Sequence, residues 1–123
     1  MKQPSQYVIA QWYKLISRYV EQYGPVAKGI AWVSTQFHHP KGRTYRNKKV
    51  LIGPWWVIPV DANLHDYWTR EAGNVTNYPK EFAERYGLQC VLWKLMIDRI
   101  QNEMGFTLPF GQDVIDAILS TGK

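Results

Sequence analysis

Between Pro4 and Tyr23 the apolar residues Val8, Trp12, Leu15, Ile16, Tyr19, Val20 and Tyr23 recur at steps of three and four. That spacing predicts an amphipathic helix over 4–23, with Ser5 as its N-cap and Gly24-Pro25 as its stop. The period then changes. From Gly29 to Phe37 β-branched and aromatic residues roughly alternate, which predicts a strand carrying His38 and His39 at its end. Pro40 denies the next ladder hydrogen bond and turns the chain out. After a polar stretch, Val50-Leu51-Ile52 resumes an extended run that Gly53-Pro54 either bulges or splits. Trp55 to Ile58 completes the hairpin or covers the core. Pro59 and Asp61 favour the start of a helix running from Asp61 to Ala72 and closed by Gly73-Asn74. Pro79 to Tyr86 predicts a short helix ended by Gly87. Leu88 to Met104 predicts a longer one, with Leu88, Val91, Leu92, Leu95, Met96 and Ile100 on its inward face and Gly105 at its end. Asp113 caps a last helix reaching Leu119.

Strands and helices in this order predict an α+β fold in one domain, residues 1–123, with a core unit at about 30–72 and helices at 4–23 and 79–120. A chain of 123 residues, 46% hydrophobic and 15% aromatic, buries a core without staples. The lone Cys90 excludes an internal disulfide framework and any CxxC zinc site. No apolar run approaches the roughly 20 residues of a membrane helix and no signal-peptide pattern opens the chain, so a cytoplasmic protein without a membrane partner is expected.

Charge changes the picture locally. Five of the nine residues from Lys41 to Lys49 are basic (Lys41, Arg43, Arg46, Lys48 and Lys49), a density suited either to binding phosphates or to a solvated hairpin tip kept basic for solubility. All three histidines flank this segment: His38 and His39 before it, His65 after it. Imidazole is both a metal ligand and a proton carrier near neutral pH. One histidine of the adjacent pair can bind a divalent ion while the other, unable to reach the same ion, serves as base for water attacking a phosphodiester. On a helix, Asp61 and His65 at i, i+4 would add two more ligands. Such a mixed N/O site suits one divalent ion: Mg²⁺, Mn²⁺, Ni²⁺ or Zn²⁺.

The order HHPKGR, KKVLIGPWWVIPVDANLHDYW and GNVTNYPKEFAERYGLQCVLWKLM resembles the HNH, or ββα-metal, nucleases. Within them it is most similar to the phage-encoded, recombination-associated (Ref-like) branch, over about residues 30 to 100. Ile58-Pro59-Val60-Asp61 stands where that branch has IPLC, Leu64-His65 where it has paired histidines, and Phe82 with Tyr86-Gly87 matches its downstream F…YG. Asp61 replaces the cysteine, Leu64 one histidine, and Thr69 a further histidine; a carboxylate in place of a thiolate suits a hard, magnesium-like ion.

The resemblance implies a ββα-metal hairpin-plus-helix unit packed by additional amphipathic helices. It makes His38 and His65 metal ligands, His39 the general base and Asn63 the residue that orients the base; Asp61 joins the ligands on spacing alone. Arg43, Arg46, Lys48 and Lys49 would hold DNA phosphates. Trp55 and Trp56 are candidates for base stacking, although core is the commoner place for Trp beside a hairpin. The implied activity is metal-dependent DNA cleavage with little sequence specificity, in a phage or mobile-element setting. The alternative is a catalytically degenerate protein of the same fold that binds nucleic acid, or a phage or host protein, without cutting.

Overall fold

The computed structural model describes residues 3–29, 32, 34–65 and 74–123. Helix α1 (Gln6–Tyr23) opens with the Ser5 side chain accepting from Val8 N–H and closes at Gly24, whose φ of 80° suits only glycine. Strand β1 (Thr35–His38) pairs antiparallel with β4 (Ile58–Asp61), Thr35 opposite Asp61 and His38 opposite Ile58. Between them, β2 (Arg46–Asn47) and β3 (Val50–Leu51) form a separate hairpin. A 3-10 turn (Ala62–Leu64) follows β4. Helices α2 (Pro79–Tyr86), α3 (Gln89–Asp98) and α4 (Gln112–Leu119) complete the chain, and α3 runs on as a π turn through Arg99–Glu103. The fold is α+β. Among the described residues, no helix is long and apolar enough to cross a membrane.

The buried centre is the unbroken stretch 51–61, every residue of which is shielded. Its hub is Trp55: the Trp55 carbonyl accepts from Trp12 Nε1–H of α1 at 3.2 Å and from Trp93 Nε1–H of α3 at 3.0 Å. Phe110 closes this group, stacked on Trp93 (5.5 Å between centroids) and edge-on to Trp12 (5.1 Å). Trp55 and Trp56 are therefore core and not a base-stacking surface.

Several expectations change in the folded chain. Pro59 lies inside β4 opposite Phe37, not at a helix start. Its carbonyl accepts from Val26 N–H, so its missing donor faces the short bridge at Ala27 and not the β1 ladder. Asp61 ends that strand and caps the 3-10 turn, so it does not share a helix face with His65. Gly53-Pro54 splits the second strand, as a turn at 53–55 between β3 and β4. Of the helix expected over 61–72, residues 66–72 lie outside the described ones, as do Ile30, Ala31 and Val33 of the first strand. Helix α3 is rotated relative to its expected face. Leu88, Val91 and Leu95 are exposed, while Cys90, Trp93 and Ile97 go inward with Leu92, Met96 and Ile100. The helix is apolar nearly all round, and the Trp93–Trp55 hydrogen bond selects the buried side. Gly111, not Asp113, is the N-cap of α4, accepting from Val114 and Ile115 N–H.

The basic segment is fastened to this core. Tyr45 carbonyl accepts from both Ile52 and Gly53 N–H, and Asn47 Nδ2–H donates to the Ala117 carbonyl and to Ser120 Oγ of the α4 end. Lys48 and Lys49 form the two-residue tip of the β2–β3 hairpin with φ of 52° and 68°. Both central positions of a twist-matched tight turn require positive φ, a place more often given to Asn-Gly. Gly53 is held so close that an added Cβ would sit 2.0 Å from the Gly42 carbonyl oxygen, whereas a Cβ on Gly42 meets nothing. Gly53→Ala should accordingly cost at least ~2 kcal/mol in a denaturant titration, with Gly42→Ala within ~0.5 kcal/mol of the parent. Equal midpoints for the two variants would show that this contact is not tight.

Candidate functional site

Side chains alternate along β1, and the alternation sorts the site into two faces. Gln36 and His38 share one face; Phe37 and, one step past the strand, His39 share the other. On the first face, the chain leaving β4 returns His65 to His38 with ring centroids 5.2 Å apart and planes crossing at 68°. The main chain of His65 is fixed there, its carbonyl accepting from Thr76 Oγ1–H and the preceding Leu64 carbonyl from Val75 N–H. Asn74, wholly buried, holds that turn: its Oδ1 accepts from Thr76 and Asn77 N–H, and its Nδ2–H donates to the Asn63 carbonyl.

His65 Nδ1–H donates to Gln36 Oε1 at 2.5 Å. A carbonyl oxygen can only accept, so Nδ1 carries a proton and Nε2 is the ring nitrogen left to face a ligand. His38 is pushed down to about 4, first by burial and next by the charge of His65, with His39 adding to the effect. Gln89 at the start of α3 pulls the other way, although its buried Oε1 makes no hydrogen bond of good geometry. His38 is thus a neutral imidazole at physiological pH, the form that ligates metal.

On the second face, His39 Nε2 and Tyr13 Oη of α1 are hydrogen-bonded at 3.0 Å, and Tyr13 packs edge-on against Phe37 at 5.3 Å. Burial, then the Arg43 guanidinium, then His65, hold His39 below its ordinary value. The neutral form is thereby favoured. When Tyr13 Oη accepts from Nε2–H, the basic lone pair lies on Nδ1.

Two imidazoles that share one cation at ~2.1 Å per nitrogen hold their centroids roughly 4.6–5.3 Å apart, for bond angles between octahedral and tetrahedral. The His38–His65 separation of 5.2 Å falls inside that range and is equally that of an edge-to-face ring contact; the pair is the candidate for a divalent ion among the described residues. Asp61 is engaged by the main chain. Its Oδ2 accepts from Gly29 N–H at 2.9 Å and its Oδ1 from Asn63 N–H at 3.0 Å, which makes it the buried brace between the strand and the turn. Among the described residues no three of His, Cys, Asp or Glu gather at one point. Asn63 lies on the 3-10 turn with its main chain tied to Asp61 and Asn74.

The five basic residues divide. Arg43 sits beside His39, Lys41 Nζ lies 5.2 Å above the Tyr45 ring, Arg46 is exposed on β2, and Lys48 and Lys49 form the hairpin tip. Sequence reading missed Tyr13, Gln36 and Gln89. Gln36 had a signal, being the polar residue two positions before His38 and so on its face. Tyr13 and Gln89 reach the site only through tertiary packing.

Since His38 stays neutral to lower pH in the folded protein than in the unfolded chain, the metal-free protein should be most stable above pH 6.5. It should lose about 2–4 kcal/mol as pH falls from 6.5 to 4, with His39 acting in the same direction. Imidazole NMR titrations and urea midpoints across that range check this; His38→Gln should flatten the dependence. The chain matches no family model, no curated protein and no solved structure.

Proposed function

We propose that this protein is a divalent-metal-dependent DNA endonuclease of the HNH, ββα-metal type, cutting phosphodiesters with little sequence specificity in a phage or mobile-element setting. The observation that supports it most is the meeting of His38, at the end of β1, with His65, just past the turn that follows β4, at 5.2 Å. In this reading His38 and His65 hold one divalent ion. When bound, such an ion neutralises charge growing on the phosphate and on the departing 3′ oxygen.

The remaining steps belong to the chain. His39, neutral and braced by Tyr13, takes the proton from the attacking water. Arg43 holds the phosphate next to that base, and Lys48 and Lys49 engage the backbone further along without reading bases. Gln36 fixes the tautomer and ring angle of His65. Asp61 positions the turn and does not bind the ion.

A second reading keeps the surface and drops the cut: a protein that binds nucleic acid, or a phage or host protein, through the 41–49 loop. The engagement of both Asp61 oxygens by main-chain donors favours it, because the ion is left with two side-chain ligands among the described residues.

Plasmid nicking in Mg²⁺ or Mn²⁺ should be visible for the parent and fall about 100-fold or more in His39→Ala. Mn²⁺ or Ni²⁺ should raise the melting temperature of the parent and not of the His38→Ala, His65→Ala double variant. A parent that neither nicks nor gains stability with any of these ions belongs to the second reading.

A further inference from the structure

A cleft of about 480 Å³ lies between the first turns of α1 and the 43–44 loop. Ile9 and Ala10 of the helix and the buried Pro54 make its apolar walls, and Tyr13 forms one end. Gln6 and Thr44 supply amide and hydroxyl groups at the rim. Arg43 is the one charged residue of the lining, and Gln3 Nε2–H donates to its carbonyl across the opening. The Tyr13 at the end of the cleft is the residue whose hydroxyl bonds His39, and the Arg43 at its edge is the cation that depresses His39. The cleft and the base of the proposed reaction thus share two side chains.

We infer that this cleft binds an unstacked nucleobase, with the attached phosphate between Arg43 and His39, so that the substrate is single-stranded or locally opened nucleic acid. The chemistry of the lining selects this ligand. Apolar walls with an aromatic residue among them accept a planar ring, the amide and hydroxyl groups offer partners to its polar edge, and the single cation of the lining favours an anion attached to the ring. The volume falls in the range of small-molecule sites, roughly 300–1,000 Å³. A base paired inside a duplex cannot enter a cleft in the protein without leaving its stack. The inference deepens the nuclease reading and rests on it for what happens at the phosphate; occupancy of the cleft is measured separately.

The test uses dAMP and inorganic phosphate as probes of the full-length protein without added metal. Amide NMR shifts at Ala10, Tyr13 and Thr44 should follow dAMP and not phosphate, and dAMP should bind about tenfold or more tightly than phosphate. Ala10→Trp fills the cleft from an exposed helix position and should reduce dAMP affinity about tenfold while leaving phosphate binding unchanged; Gln6→Trp, also exposed, is the second variant. Circular dichroism and melting confirm that each folds. Equal affinity for dAMP and phosphate, shifts confined to the 41–49 loop, or a dAMP affinity indifferent to both folded variants would overturn the inference. Nicking of DNA with no dAMP binding removes this site alone, and dAMP binding without nicking removes the nuclease reading alone.

Discussion

One carbonyl holds the parts of this molecule in register. Trp55 O accepts indole protons from Trp12 and Trp93, and thereby joins the first helix, the third helix and the turn that feeds β4. Each donor is buried, so losing its acceptor would strand an N–H in hydrocarbon at a cost of about 1–3 kcal/mol. Phe110 lies against all three indoles and excludes water from the junction. The direction of α3 follows from it. A helix apolar on most sides has many ways to pack, and the indole bond chooses the one that leaves Leu88, Val91 and Leu95 in solvent.

From that junction the geometry of the imidazoles follows in short steps. β4 leaves the turn with both faces covered, pairs with β1, and ends at Asp61. The carboxylate of Asp61 then bends the chain into the 3-10 turn by capping it, while its second oxygen ties down Gly29. One residue past the turn stands His65, on the side of β1 that carries Gln36 and His38. The opposite side carries Phe37 and His39 to Tyr13 of α1. Strand pleating separates two neighbouring histidines into a partner for His65 and a partner for the helix. Adjacent sequence positions thus acquire different surroundings.

Much of this was legible in the letters. The first helix, its Ser5 cap and its Gly24 stop, and the bounds of α2 follow from periodicity and capping rules alone. The coming together of His38 and His65 was readable as a hairpin returning on itself. Less legible was whatever tertiary competition decides. Pro59 and Asp61 carry helix-start chemistry, yet the buried run before them is so apolar that pairing with β1 extends through both, and the cap acts one residue later. The i, i+4 relation of Asp61 to His65 needs a helix beneath both; on a strand end the carboxylate instead ties Gly29 to the turn. Tyr13 escaped notice because a residue beside the apolar stripe of a helix declares nothing until something is placed against it.

The Gly42–Gly53 contact has a consequence for how charge is presented. The basic segment touches the buried strand main chain to main chain, is hydrogen-bonded to it through Tyr45, and is pinned to the last helix by Asn47. A loop so attached has little freedom left to surrender when an anion arrives, so the ordering penalty that weakens binding by floppy polycationic tails is largely absent. The positive charges of the segment are therefore held in a set direction relative to the core instead of forming a diffuse cloud.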